Sequence, residues 1–364
     1  HGYFAPGHDD AAQKAAIGNL LEMTGDFEKP KYFRYKERLC AHSRNRKVGC
    51  TSCIDICSAK AIESARDGIR VNPYLCAGCG ACTTVCPSGA LAYAYPGAPY
   101  SGERLRGMLA TYANEGGLDP FILFHGEGQG SELVAALDGE SAAGGGHRGL
   151  PTRAIPMRLH HMASTGIDVW LSAIAYGASG VSVLVTEADA PQYAEALAEQ
   201  MMIAQSILTG LGYAGRHFQL IRASTEAQLD EALVAAPDGI APLQRATFHL
   251  AQEKRNALDM ALDHLFRQST LKPVQVDLPP RSPFGAIAVD TSRCTLCMSC
   301  VGACRGSSCS RVSPSRRWRA RSCRSTTTCV TPAPLATSPG PTSARRLAAC
   351  RSSLPTCRSG AASP

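Results

Sequence analysis

The period of the apolar positions changes along the chain, and each change marks a different kind of element. Ala11 to Met23 reads as a helix within a short entry segment, residues 1–30. Phe33 and Tyr35, then Ile69 and Val71, are apolar pairs two residues apart, the spacing of short strands. They lie in a module running from about Lys31 to Pro96. Residues 97–118 form a connection with a short helix near Leu105 to Tyr112.

A second texture follows over residues 119–270. Phe121–Phe124, Ala154–Met157, Val181–Val185 and His217–Ile221 are short apolar runs that predict strands. Between them Ser131 to Leu137, Met162 to Tyr176 and Pro191 to Leu208 carry helical patterns. Thr225 to Ala235 and Leu243 to Arg267 add two more helices. Strands alternating with helices imply a parallel α/β sheet, and the β-branched run Val181–Val185 predicts a strand buried on both faces. Residues 271–284 contain Pro273, Pro279, Pro280 and Pro283 and read as a stiff linker. The apolar stretch Val169 to Val185 is broken by Gly177, Ser179 and Gly180, so no membrane span is expected.

Charge adds a correction. The formal net charge of the 364 residues is +7, yet Arg305 to Pro364 contributes eleven Arg and no Lys, Asp or Glu. The other 304 residues carry 26 basic and 30 acidic side chains, a net −4. Basicity therefore belongs to the tail and gives no reason to expect nucleic-acid binding. Residues 309–364, rich in Ser, Arg, Thr and Pro, lack hydrophobic periodicity and are expected to be disordered. An out-of-frame reading of a GC-rich gene would give this composition, with a basic low-complexity tail as the alternative. The chain starts at His1 rather than Met and reads as a fragment.

Chemistry enters with the seventeen cysteines, twelve of which fall into three tight groups. Close-set thiols in an odd total argue for metal ligation in a reducing, cytoplasmic compartment rather than a disulfide framework. The strongest signal is Cys76-x-x-Cys79-x-x-Cys82-x-x-x-Cys86-Pro87. Three thiolates so spaced can wrap one iron–sulfur cubane while the fourth reaches a second; structural zinc draws on paired knuckles instead. A shift of 29 residues maps Cys50, Cys53 and Cys57 onto Cys79, Cys82 and Cys86, and Ala61–Ile62 onto Ala90–Leu91. The counterpart of Cys76 falls on Lys47, and Cys40, seven residues earlier, is the natural substitute. Its register agrees: Phe33 and Tyr35 precede Cys40 by the intervals at which Ile69 and Val71 precede Cys76. The alternative is a buried Cys40 that binds nothing.

These runs resemble the bacterial two-cluster ferredoxins over about Lys31 to Pro96. The resemblance implies an α+β dicluster module of two βαβ-type half-repeats that exchange their last cysteines. One 4Fe–4S cluster would take Cys40, Cys50, Cys53 and Cys86, and the other Cys76, Cys79, Cys82 and Cys57. The chain departs from the pattern at the insertion Ala41–Gly49 and at Ser58, where proline is usual. His42, Arg44, Arg46 and Lys47 in that insertion are expected in a solvated loop.

Cys294, Cys297, Cys300 and Cys304 repeat the spacing at a shift of 218 within residues 285–308, with Arg305 in place of the proline. No partner run follows, and Cys309, Cys323, Cys329, Cys350 and Cys357 have no run spacing. A truncated second module with an incomplete third cluster is the expectation.

The sheet domain resembles the delta subunit of methyl-viologen-reducing hydrogenases and related heterodisulfide-reductase carriers. The likeness rests on Ile155-Pro156, Leu171-x-Ala173-x-x-x-Gly177-Ala178-x-Gly180-Val181 and Leu211-Gly212-Tyr213. That family carries cysteines near the positions of Met162 and Thr186, so the likeness implies a docking or spacing domain without its own metal. The turn Phe124 to Ser131 lacks the third glycine of a dinucleotide loop and holds Glu127, so a plain turn is expected. His125, His160 and His161 have no carboxylate partner placed by spacing and read as surface or core histidines.

The function expected is an electron-transfer protein or subunit, with redox proteins of the dehydrogenase or hydrogenase type as partners. The alternatives are an oxidoreductase subunit whose sheet domain binds flavin or nucleotide, and a scaffold with structural clusters. No catalytic residue is expected, and an electron carrier is favoured over a self-sufficient enzyme.

Overall fold

Asp9 opens the chain's first helix by accepting a hydrogen bond from Ala11 N at 3.0 Å. This helix, α1 (Asp10–Glu22), matches the expected span to within a residue and lies in a unit formed by residues 1–30. The computed structural model describes residues 6, 8–22, 28–44, 47–142, 148–280 and 282–284. The third cysteine run and the tail therefore lie outside the described residues. All other described elements belong to one unit beginning at Lys31, within which the cysteine module and the sheet domain are continuous.

The cysteine module contains β1 (Phe33–Tyr35), β2 (Ser43–Arg44), β3 (Lys47–Val48), α2 (Ser52–Asp55), β4 (Ile62–Ala65), β5 (Gly68–Val71), α3 (Ala81–Val85) and β6 (Leu91–Tyr93). Strands β1 and β6 pair antiparallel, as do β4 and β5. Tyr35 faces Leu91 in the first pair and Val71 faces Ile62 in the second. Those two pairs are related by the sequence repeat itself. Lys36 N donates to Ala90 O and Asn72 N to Ala61 O, both at 2.8 Å, so the symmetry reaches individual hydrogen bonds. Two βαβ halves thus close on one another by pairing across the halves.

Helix α4 (Ala98–Asn114) is longer than the short helix expected, and it buries Leu105 and Leu109 in the core of the sheet domain. It starts on a proline in its first turn, where the missing N–H costs nothing. The connection is thus a structural helix of that domain.

The sheet is built from β7 (Phe121–Gly126), β8 (Ala154–Leu159), β9 (Gly180–Val185) and β10 (Phe218–Arg222), all parallel, in the order β10-β9-β7-β8. Every residue of β9 is buried, as its β-branched run requires. Alternate side chains go to opposite faces. Ile122, Phe124, Val181 and Val183 join one core with α4, α6 (Ile167–Ala175), α7 (Pro191–Leu211) and α9 (Lys254–Gln268). Phe121, Leu123 and Leu184 join the other with α5 (Gln129–Ala142) and α8 (Glu226–Val234). Thr225 caps α8 by accepting from Gln228 N.

Two expected helices are interrupted. Met162 to Tyr176 divides into a 3₁₀ turn at Met162–Ser164 and α6, with extended Gly166 between them. Leu243 to Arg267 becomes helical only at Lys254. The cause is tertiary: the backbone of residues 243–253 spends its polar groups elsewhere. Ala246 N donates to Ala175 O at 2.8 Å, Tyr176 Oη to Phe248 O at 3.0 Å and Arg106 Nη1 to Thr247 O at 2.9 Å. Residues 271–284, expected as a stiff linker, are laid along the domain. Leu278 and Phe284 pack against the core, and Val276 covers Gly210.

Candidate iron–sulfur sites

The insertion in the first cysteine run is a small hairpin. β2 and β3 pair Ser43 with Val48, and Gly49 N donates to His42 O at 2.6 Å where the hairpin closes. With residues 43–49 looped out, Cys40-Ala41-His42 leads directly into Cys50, the spacing that Cys76 to Cys79 has uninterrupted. His42 fastens the closure. It is buried, with Nδ1 2.7 Å from Cys50 O and Nε2 2.7 Å from Ser64 Oγ. A solvated loop was expected for it, and the opposite is found; the side chains of Arg44, Arg46 and Lys47 lie outside the described residues.

In the second run two glycines allow close approach. Gly78 and Gly80 have φ of +75° and +77°. A Cβ at Gly80 would stand 2.6 Å from the Cα of Ser164, so this loop presses its backbone against the turn after β8.

The eight described cysteines are free thiols, and they line two cavities. Cys40, Cys50, Cys53 and Cys86 border the first, with His42, Tyr35 and Ile69. Cys57, Cys76, Cys79 and Cys82 border the second, with Tyr32, Phe33 and Tyr93. Each cavity takes three cysteines from one run and the last from the other. Helix α3 spans the gap, with Cys82 on its body at the second cavity and Cys86 at its end at the first.

The neighbouring cysteines that act on Cys53 and Cys79 line the same cavity as each of them, whereas Cys82 also feels Cys53 of the other cavity. Burial pushes the Cys53 thiol far up, and Cys86, Cys50 and Cys40 add to the rise. Burial raises Cys82 as well, with Cys79 the next cause. Cys79 also moves up through burial, against the lowering effect of its hydrogen bond from Tyr193. Four thiolates sharing a cavity repel one another unless a cation compensates them, and iron does that. Among the described residues no three His, Cys, Asp or Glu side chains gather tightly enough for one metal ion. The four-cysteine cavities are the better guide, because a cubane has width and its ligands stand around it. The donor set of four soft thiolates suits it. Backbone and hydroxyl groups already point at sulfur: Ala61 N donates to Cys57 Sγ at 3.3 Å, and Ser88 Oγ lies 3.7 Å from Cys86 Sγ.

The module sits over the carboxyl ends of the sheet strands. Thr84 Oγ1 donates to Ala163 O at 2.6 Å, and Ser58 Oγ lies 2.5 Å from Tyr193 Oη. His160, just past β8, stacks on Tyr32 with ring centroids 5.3 Å apart. This is the edge at which doubly wound sheets ordinarily take ligands. The histidines there have carboxylate partners after all. His160 pairs with Glu127 at 3.2 Å, and His161 Nε2 lies 3.5 Å from Asp189 Oδ1. Burial lowers the pKa of His161 while Asp189 opposes the change. Burial likewise lowers His125, whose Nδ1 lies 3.3 Å from Ser131 Oγ. Met162 is buried, and Thr186 is bonded through N and Oγ1 to Asp189 Oδ2, so both residues serve local structure.

Residues 48–90 match the 4Fe-4S dicluster domain family. The chain carries a ferredoxin-type iron–sulfur domain. It is similar to a protein named "Ferredoxin 7Fe" from Hydrogenibacillus schlegelii, with 38% identity over 40 residues, 11% of this chain. The chain spans about half that relative, 51% of its length. No solved structure matches the chain. The family match does not reach the sheet domain, residues 121–268. No helix among the described residues is long and apolar enough to cross a membrane.

Proposed function

We propose that this chain relays single electrons through two 4Fe–4S clusters, one on Cys40, Cys50, Cys53 and Cys86, the other on Cys57, Cys76, Cys79 and Cys82. The observation that carries this reading is the pair of cavities, each lined by four free thiols drawn crosswise from two runs. The clusters, when bound, supply one-electron chemistry. The protein's part is to fix the thiolates, exclude water and aim hydrogen bonds at sulfur, as Ala61 N does at Cys57. The name of the relative, "Ferredoxin 7Fe", speaks of seven irons. Here all eight thiols are present in two sets of four, which favours eight. The third run, Cys294 to Cys304, lies outside the described residues, and the two-cluster reading does not depend on it.

A reducing, cytoplasmic setting and redox partners of the dehydrogenase or hydrogenase type fit this chemistry. The sheet domain, like the hydrogenase delta subunit it resembles, is then a docking platform. A flavin or nucleotide in that domain is the second reading. The cysteine module's hold on the turn after β8 and on Tyr193 of α7 argues against it, since those contacts use the edge where such a ligand would lie.

Reversible reduction is the test. Protein reconstituted anaerobically with iron and sulfide is expected to absorb broadly near about 400 nm. Dithionite should bleach that band, air-free oxidant should restore it, and the reduced form should give a rhombic EPR signal. Absorbance that dithionite leaves unchanged would contradict a relay and favour structural clusters.

A further inference from the structure

Helix α9 begins with two cations where a helix favours anions. Lys254 and Arg255 occupy its first turn, at the positive end of the helix dipole, and both are buried, at 8% and 5% exposure. Their placement costs α9 stability, so their use lies elsewhere. Lys254 Nζ donates to Thr83 O at 3.1 Å and to Thr84 O. Arg255 donates to Pro87 O and, at 3.2 Å, to Pro283 O, with its guanidinium over the Phe284 ring. The loop after Cys86 wraps around this pair: a Cβ at Gly89, which has φ +70°, would stand 3.2 Å from Lys254 Cβ.

The carbonyls that Lys254 binds lie between Cys82 and Cys86 in sequence. Those two cysteines face different cavities, so the ammonium is lodged on the short helix that joins the two sites. Burial lowers the pKa of Lys254, and Asp168, then Cys86, act against that change and favour its charged form. Asp168 lines the same cavity as Lys254.

We propose that Lys254, supplied by the sheet domain, is a positioning residue that holds up the reduction potentials of both clusters by placing one fixed positive charge between them. Reduction adds one electron to either site, forms and breaks no bond, and leaves one more negative charge among the thiolates. A buried cation favours that added charge, and the low-dielectric interior preserves the effect against salt. The idea rests on the two-cluster reading proposed above. It gives the sheet domain a role in electron transfer that needs no ligand of its own.

The full chain, reconstituted anaerobically, is titrated with dithionite while EPR follows both clusters. Lys254→Gln keeps a donor for the carbonyls but removes the charge. It is expected to lower both midpoint potentials, changing each reduction equilibrium at least tenfold, about 59 mV for one electron. Lys254→Arg should restore values near those of the parent. Unchanged potentials in Lys254→Gln, even with lower thermal stability, would reduce Lys254 to a helix cap and overturn the proposal. Should Lys254→Gln fail to retain iron, Asp168→Asn decides the matter. Removing the countercharge should raise both potentials, and no shift would overturn the proposal. A parent chain without reducible iron would overturn the two-cluster reading itself, a result distinct from either.

Discussion

Cys57→Ala is expected to bind about four irons per chain where the parent binds about eight, and the cluster it loses is not the one its own run begins. Cys57 follows Cys50 and Cys53 in sequence but lines the cavity of Cys76, Cys79 and Cys82. Double variants separate crossed from uncrossed assembly. Cys57→Ala with Cys76→Ala removes two ligands of the same site, so about four irons should remain. Cys57→Ala with Cys40→Ala touches both sites and should leave close to none. The reverse ranking in an iron assay would mean that each run builds its own cluster. Cys86→Ala should behave as the mirror image, because Cys86 lines the cavity of Cys40, Cys50 and Cys53.

Trp170→Ala should be the most destabilising substitution away from the cysteines. Trp170 is wholly buried on α6, near Phe218 at a ring-centroid distance of 6.1 Å, in the larger core. Removing so large a side chain leaves a cavity the surrounding helices cannot fill, at a cost of about 3–5 kcal/mol. Ile56 and Ala81 of the cysteine module belong to that same core, so the loss is felt by the whole unit. The midpoint of urea unfolding, followed by far-UV circular dichroism, measures it. A change below about 1 kcal/mol would mean that the core relaxes around the gap. The folded fraction should keep the parent's EPR signal, since Trp170 lines neither cysteine cavity.

Repeats made the candidate site legible in the sequence. The shift of 29 residues and the strand intervals before Cys40 and Cys76 rest on spacing alone, and the backbone reproduces both in the pairs Tyr35–Leu91 and Val71–Ile62. The parallel sheet was legible from the alternation of apolar runs with helical patterns, and the β-branched run Val181–Val185 suits the strand buried on both faces that is found. What escaped depended on partners far away in the chain. Apolar spacing cannot reveal that Ala246 N will bond to Ala175 O, so the helix beginning at Lys254 was started eleven residues early. Glu127 and Asp189 reach His160 and His161 only once the strand ends converge. Lys254 and Arg255 fall inside the longer helix expected from Leu243 to Arg267. Burial, which spacing does not report, sets them apart. A cation pair at the true start of a helix is the one signal that hinted at them, and it needed the start to be placed correctly. The insertion after Cys40 could be counted, but only the closure at His42 and Gly49 divides it into two ordinary residues and a hairpin.

Iron and acid-labile sulfide, counted together on the anaerobically reconstituted full chain, test the central claim most directly. The two crossed sets of four thiols predict about eight irons and about eight sulfides per chain, with no stoichiometric zinc. A colourless protein carrying zinc, or iron without sulfide, would contradict the account.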